Sequence, residues 1–279
     1  MTNSIHSVSV ILPTYNERNH IGPLIDAVEE NLEPLGLALE IIVVDDNSPD
    51  GTAEVVRERQ AHDPRLHLTV RRNERGLASA ILCGLKQSTG DVVVVMDTDF
   101  NHDPAMLPQM VKFLEYYDII VGSRFTMGGG MEDQFRYYSS FLYNFYVRLV
   151  LRTQVQDNLS GFFAMMRDKL FRLDVETIFR GYGEYFMRLL FLASAAYLTI
   201  LEVPVYYRLR RHGQSKSRFG HMLVGYTLTV LALRFSGKGL PWTLRQRAYW
   251  FETQARRQAG LEIAPPGHGC EQVQRDGAH

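Results

Sequence analysis

The sequence predicts an α/β protein: a mostly parallel sheet with helices on both faces. Short β-branched runs alternate with amphipathic windows through roughly the first 125 residues, the pattern of repeated strand–helix units. The runs Ile41-Ile42-Val43-Val44 and Val92-Val93-Val94-Val95 are apolar without interruption, as strands covered on both faces must be. Polar and acidic clusters follow these runs directly, at the strand ends where open α/β sheets gather their ligands.

Taken in order, strands are expected at 8–12, 40–45, 66–70, 92–97 and 118–123, with helices between them at 18–32, 51–61, 77–88 and 105–117. The second of these helices opens with Ser48-Pro49-Asp50, a start signal. Gly128-Gly129-Gly130 breaks the rhythm and reads as a flexible loop. A helix at 134–152, a loop containing Asp157, a strand at 162–166 and a helix at 184–196 come next. The strand pair 198–203 and 205–209 is interrupted by Pro204, and helical windows at 217–236 and 242–258 complete the ordered part. Residues 259–279 are Gly-, Pro- and polar-rich without apolar periodicity and read as a disordered tail. The expected organisation is a catalytic domain at 1–216, basic and aromatic helices at 217–258, and the tail.

The 279 residues carry a net charge of −1, unevenly spread. Residues 1–204 hold 18 Lys/Arg against 27 Asp/Glu, whereas 205–257 hold 11 against one. Such a basic segment suits an anionic partner: a lipid surface, a diphosphate or a nucleic acid. Two cysteines, Cys83 and Cys270, cannot supply a disulfide framework. The start of the chain lacks the basic flank and apolar core of a secretory signal, so a cytoplasmic protein is expected. The apolar stretches 189–201 and 222–233 fall short of the ~20 residues needed to cross a bilayer. Neither a Walker loop nor a dinucleotide fingerprint occurs, which removes most support for P-loop phosphoryl transfer and for hydride transfer.

The chemistry concentrates at the strand ends. Asp97 and Asp99 follow four valines, and residues two apart in an extended chain project to one side. Two carboxylates so placed call for a cation, and Mg²⁺ or Mn²⁺ held also by substrate phosphate oxygens fits, with Asn101 able to add a neutral oxygen. Asp45 and Asp46 end the neighbouring strand, where a carboxylate either accepts hydrogen bonds from a base or ribose or caps the next helix. His20, His67 and His102 lack ligand-pair spacing and read as structural or exposed.

Together these segments resemble family 2 glycosyltransferases, and within them the dolichyl or polyprenyl phosphate mannosyltransferases. The resemblance spans about 7–218 and rests on Pro13-Thr14-Tyr15-Asn16-Glu17, the run from Asp45 to Thr52, Arg75-Gly76-Leu77 with Gly84, and Asp97-Thr98-Asp99. It continues through Gly122-Ser123-Arg124, Ser160-Gly161-Phe162, Glu202-Val203-Pro204-Val205 and the run from Arg210 to Lys216. It implies a GT-A fold and metal-dependent, inverting transfer of a sugar, with mannose from GDP-mannose the default and a UDP-sugar such as UDP-glucose the alternative. The implied acceptor is a polyprenyl phosphate at an anionic membrane surface, reached by peripheral attachment to its cytoplasmic face; no nucleic acid partner is implied.

By the same resemblance Pro13, Tyr15, Glu17, Asp46, Arg75 and Asp97 line the nucleotide-sugar pocket, and Asp97, Asp99 and Asn101 hold the metal. The branch often has Gln at the third metal position, where this chain has the shorter Asn101. Arg124 and Arg136 match positions that receive the acceptor phosphate, and Arg210, Ser215 and Lys216 match a loop that closes over phosphates. A phosphate acceptor is already ionised and needs no general base; for a hydroxyl acceptor Asp157 is the candidate base, and otherwise it orders its loop. A saccharide, peptide or small hydroxyl acceptor, and a non-catalytic nucleotide-sugar binding protein, remain as competing readings.

Overall fold

The computed structural model describes residues 4–208 and 219–235. Its elements in order are β1 (Ser7–Thr14), α1 (Arg18–Leu32), β2 (Ala38–Asp45), α2 (Thr52–Gln60), β3 (Leu66–Val70), α3 (Leu77–Gln87) and β4 (Val92–Val95). Then follow α4 (Leu107–Phe113), β5 (Ile119–Ser123), β6 (Gly130–Met131), α5 (Gln134–Leu151), β7 (Phe163–Met166), α6 (Arg167–Leu170) and α7 (Val175–Ile178). α8 (Glu184–Ala195), β8 (Ile200–Pro204), β9 (Tyr206–Tyr207) and α9 (Phe219–Phe235) complete the described chain.

Seven strands form one sheet in the order β3-β2-β1-β4-β7-β5-β8. Alternate residues of β1 face opposite layers: Val8, Val10 and Leu12 pack with Ile21, Leu24 and Val28 of α1, while Ile11 joins Ile81 and Leu85 of α3. Helix α3 lies so close to the sheet that a Cβ on Gly84 would stand 2.6 Å from Ile11 Cγ2, so only glycine fits there.

Most neighbours pair in parallel, as expected, but β7 runs antiparallel between β4 and β5. The segment between β5 and β7 begins and ends at the carboxyl end of the parallel strands, so β7 starts where its neighbours finish, with Phe163 opposite both Val95 and Val121. That reversal brings residues 157–162 beside the ends of β4 and β5. The triple glycine is held in place rather than loose: Gly130 donates to the Val205 carbonyl at 3.0 Å, and Gly130–Met131 pairs with Tyr206–Tyr207.

Helix α9 docks on α5 and α8, with Val230 buried among Val147, Leu151 and Met187. Tyr143 and Thr227 hydroxyls meet at 3.3 Å. The expected helix at 242–258 and the tail at 259–279 lie outside the described residues.

Candidate active site

Strand order reverses between β1 and β4, because the chain proceeds from β1 to β2 on one side and to β4 on the other. The splayed loops at such a point leave a crevice. Here it is a cleft of ≈ 380 Å³ bounded by Pro13 to Tyr15 and Glu17 after β1, Asp46 after β2, Asp97 to Asp99 after β4, and Arg75 to Leu77 at the start of α3.

The loops are tied to one another by short polar side chains. Asn16 and Asn47 adopt φ of +58° and +55°, left-handed conformations that asparagine tolerates better than most residues. Asn16 N–H donates to Ser48 Oγ at 2.9 Å and Glu17 N–H to Thr52 Oγ1 at 3.0 Å, so the loop after β1 is held by the loop after β2. Asp45 is consumed in this scaffold, accepting from the Ser48 N–H at 2.8 Å and the Thr14 hydroxyl at 3.1 Å.

Asp46 lines the cleft and is also a hub. It accepts from Arg71 Nε at 2.7 Å and from the Gly76 N–H at 2.8 Å, with Arg71 Nη2 as a further donor. Arg71 is buried and reaches the Gly76 carbonyl as well, at 3.0 Å. This pair fixes the start of α3, whose first residues Gly76 and Leu77 line the cleft. At the cleft margin the Arg75 guanidinium lies over the Tyr15 ring, 5.0 Å from its centroid. Two residues that no motif marked stand here: Arg71, and Tyr182, which lines the cleft from the loop before α8. Arg71 lay in the charged run Arg71-Arg72-Asn73-Glu74-Arg75, and nothing in that run marks which side chain turns inward.

Asp97 and Asp99 both border the cleft, as the spacing predicts. Asn101, expected to add a neutral oxygen to a cation, donates its Nδ2 to Asp99 Oδ2 at 2.9 Å and its N–H to Asp99 Oδ1 at 3.1 Å. It clips the Asp99 carboxylate in place. Phe100 between them takes φ +60°, a costly conformation for an aromatic residue and one that allows this tight loop.

Arg124 and Asp157 pair with each other. Arg124 is buried, with Nε 2.8 Å from Asp157 Oδ2 and Nη2 2.7 Å from Oδ1, and its own N–H donates to Oδ2 at 3.0 Å. Burial opposes the Arg124 charge, but the Asp157 carboxylate outweighs it and the guanidinium pKa is raised. Burial likewise raises the Tyr207 hydroxyl, with the nearby Arg124 charge partly opposing. Asp157 thus points its oxygens at N–H donors, the geometry of a loop-ordering residue and not of a poised base. Arg136 is exposed on the first turn of α5, its Nε 3.3 Å from Asp133. Neither Arg124 nor Arg136 borders the cleft. Arg210, Ser215 and Lys216 lie outside the described residues.

A family model described as "Glycosyl transferase family 2" matches residues 9–173, more than half of the chain. The chain belongs to glycosyltransferase family 2. It is 34% identical over 223 residues to a dolichol-phosphate mannosyltransferase of Pyrococcus furiosus, a match that covers 75% of this chain and 58% of that protein. It is 33% identical over 243 residues to an undecaprenyl-phosphate mannosyltransferase of Micrococcus luteus, covering 82% and 96% of the two chains. Among solved structures it resembles the glucosyl-3-phosphoglycerate synthase of Mycobacterium tuberculosis, with a TM-score of 0.64, 22% identity and 82% and 79% coverage. The fold of this glycosyltransferase is therefore GT-A, as the sequence predicted.

Proposed function

We propose that this glycosyltransferase moves a hexose, mannose from GDP-mannose by default, onto a polyprenyl phosphate with inversion at the anomeric carbon. The observation that carries the reading is the cleft at the switch point. It sets the Asp97 and Asp99 carboxylates within the same ≈ 380 Å³ space as the N-terminus of α3, a pairing suited to a nucleoside diphosphate. The named relatives, both polyprenyl-phosphate mannosyltransferases, support the acceptor class.

The donor set fits Mg²⁺ or Mn²⁺: hard carboxylate oxygens on a tight loop, with Asn101 orienting one of them. A divalent cation there supplies the positive charge that the departing nucleoside diphosphate needs. Tyr15 and Arg75 flank the nucleotide, and Asp46 faces it while holding Arg71 and Gly76. With Asp157 committed to Arg124, an acceptor that is already ionised fits better than a hydroxyl needing a base.

The acceptor's lipid tail requires a membrane, and the surface supports one. Helix α5 contains no Asp or Glu, and Phe135, Tyr138, Leu142, Phe145 and Leu149 form an exposed stripe at helical spacing. Val224, Leu228 and Phe235 of α9, which packs on α5, are exposed as well, with Arg136, Arg148 and Arg234 nearby in sequence. Aromatic and basic residues without carboxylates suit the headgroup region of an anionic leaflet. The sequence marks a basic segment at 205–257 for an anionic partner, and α5 adds a second such surface within the first 216 residues. Among the described residues no helix is long and apolar enough to cross a membrane.

The test is incubation of the purified chain with a panel of labelled nucleotide sugars and vesicles carrying polyprenyl phosphate. An acid-labile lipid-linked mannose from GDP-mannose is expected, lost on chelation of divalent cations. Lipid product from UDP-glucose alone would reassign the donor, and transfer only to hydroxyl compounds would overturn the acceptor.

A further inference from the structure

His102 has no part in the function described above, yet it is fully buried directly behind the acidic loop. Its ring lies flat on Phe162, with centroids 4.7 Å apart and planes 9° from parallel, and tilts against Tyr207 at 5.3 Å. Nδ1 accepts the backbone N–H of Asp97 at 2.8 Å. An accepting Nδ1 places the ring proton on Nε2. That Nε2 is buried without a hydrogen-bond partner among the described residues, and it stands 3.9 Å from Asp97 Oδ2.

We propose that His102 is the positioning residue of the cation loop, fixing the Asp97 peptide through Nδ1 and keeping an Nε2–H donor beside the Asp97 carboxylate. The proposal rests on the reading that Asp97 and Asp99 hold a divalent cation. Strand β4 ends at Val95, so the Asp97 N–H lies beyond the ladder and needs a partner from elsewhere. A histidine supplies that acceptor from only five residues away. The separation of Nε2 and Oδ2 exceeds hydrogen-bonding range by about 1 Å, so a small rotation of the carboxylate closes it. Groups that orient a ligating carboxylate in this way tune how tightly the cation is held.

The stacking contacts add a mechanical link. Phe162 follows the segment that carries Asp157, and the Tyr207 hydroxyl bonds Ser160 Oγ at 3.0 Å and the Ser160 carbonyl at 3.2 Å. The His102 ring therefore bridges the cation loop and the loop built on the Arg124–Asp157 pair.

The test compares His102→Asn, which retains an acceptor near the Nδ1 position, with His102→Gln and His102→Phe in the full-length protein. In the cation-free chain, hydrogen exchange at the Asp97 amide reads the backbone bond directly. It is expected to accelerate at least about tenfold in His102→Phe and to stay near wild type in His102→Asn. Titration with Mn²⁺ alone, followed by electron paramagnetic resonance, is expected to show affinity about 10- to 100-fold weaker for Phe and Gln, and partly recovered by Asn, which restores the backbone bond but not the Nε2–H donor. If His102→Phe does not fold, the contrast between Asn and Gln decides. Wild-type Mn²⁺ affinity in both Phe and Gln variants, or unchanged Asp97 exchange, would overturn the proposal alone. Absence of Mn²⁺ binding by the wild-type chain would overturn the cation reading and the proposal with it.

Discussion

Arg124 and Asp157 form a buried, two-pronged ion pair at the end of β5, with 7% and 0% of their side chains exposed. Removing one member leaves the other charged and dry. Asp157→Ala is expected to destabilise the protein by about 3–5 kcal/mol, read as a lower urea midpoint, while Arg124→Met combined with Asp157→Leu recovers much of the loss. An unchanged midpoint for Asp157→Ala would show that the pair is not a structural anchor.

Asp99→Ala is expected to raise the transfer barrier by several kcal/mol, on the order of a thousandfold in rate, without altering the fold. Asn101→Ala should cost less, about tenfold, because it loosens the Asp99 carboxylate without removing it. Steady-state rates across a Mn²⁺ series check both. Equal losses in the two variants would make Asn101 a ligand in its own right.

The contrast between these residues shows what the sequence carried. The sheet was legible because Val92-Val93-Val94-Val95 and Ile41-Ile42-Val43-Val44 admit few other readings, and Asp97 and Asp99 were legible because extended chain fixes their common side. The direction of β7 was not, since a four-residue apolar run reads the same in either orientation. Nor could spacing reveal that Arg124 turns inward to Asp157, 33 residues away, or that Arg71 reaches Asp46. The exposed stripe of α5 is in the sequence as a periodicity, but periodicity alone does not distinguish a face buried in protein from one left facing outward.

Arg71→Ala is expected to weaken nucleoside diphosphate binding, because Asp46 loses its main partner and the α3 N-terminus loses its brace. An unpaired buried acceptor costs about 1–3 kcal/mol, so calorimetry with GDP should show a loss of about 5- to 150-fold. Binding at wild-type strength would separate this cluster from the nucleotide site.

Replacing Phe135, Tyr138 and Phe145 together with Ser removes the aromatic part of the α5 stripe, where each is now exposed. Co-sedimentation with anionic vesicles should fall at least about tenfold while turnover on a detergent-dispersed short-chain acceptor persists. Undiminished sedimentation would place membrane contact elsewhere on the chain.

Hydrogen bonds from Arg65 hold the Asp63 carboxyl at a pKa of about 2, against burial, which pushes the other way. A carboxylate depressed on folding contributes stability above its unfolded pKa of about 3.9 and loses it as pH falls toward 2. Urea midpoints should therefore decline from about pH 5 to 3, and less steeply in Asp63→Asn. Parallel slopes for the two proteins would remove Asp63 from the acid response.

The antiparallel strand also sets an order of events during synthesis. Strand β5 is bonded in the sheet only to β7 and β8, so when Ile119–Ser123 leaves the ribosome neither neighbour yet exists. Strand β4 waits too, with one edge on β1 and the other open until Phe163–Met166 arrives. For some 40 residues of translation, at about 5–20 residues per second, the nascent chain presents apolar, unmatched backbone to its surroundings. A polypeptide stopped within α5 is thus a substrate for chaperones and proteases and not a smaller working enzyme.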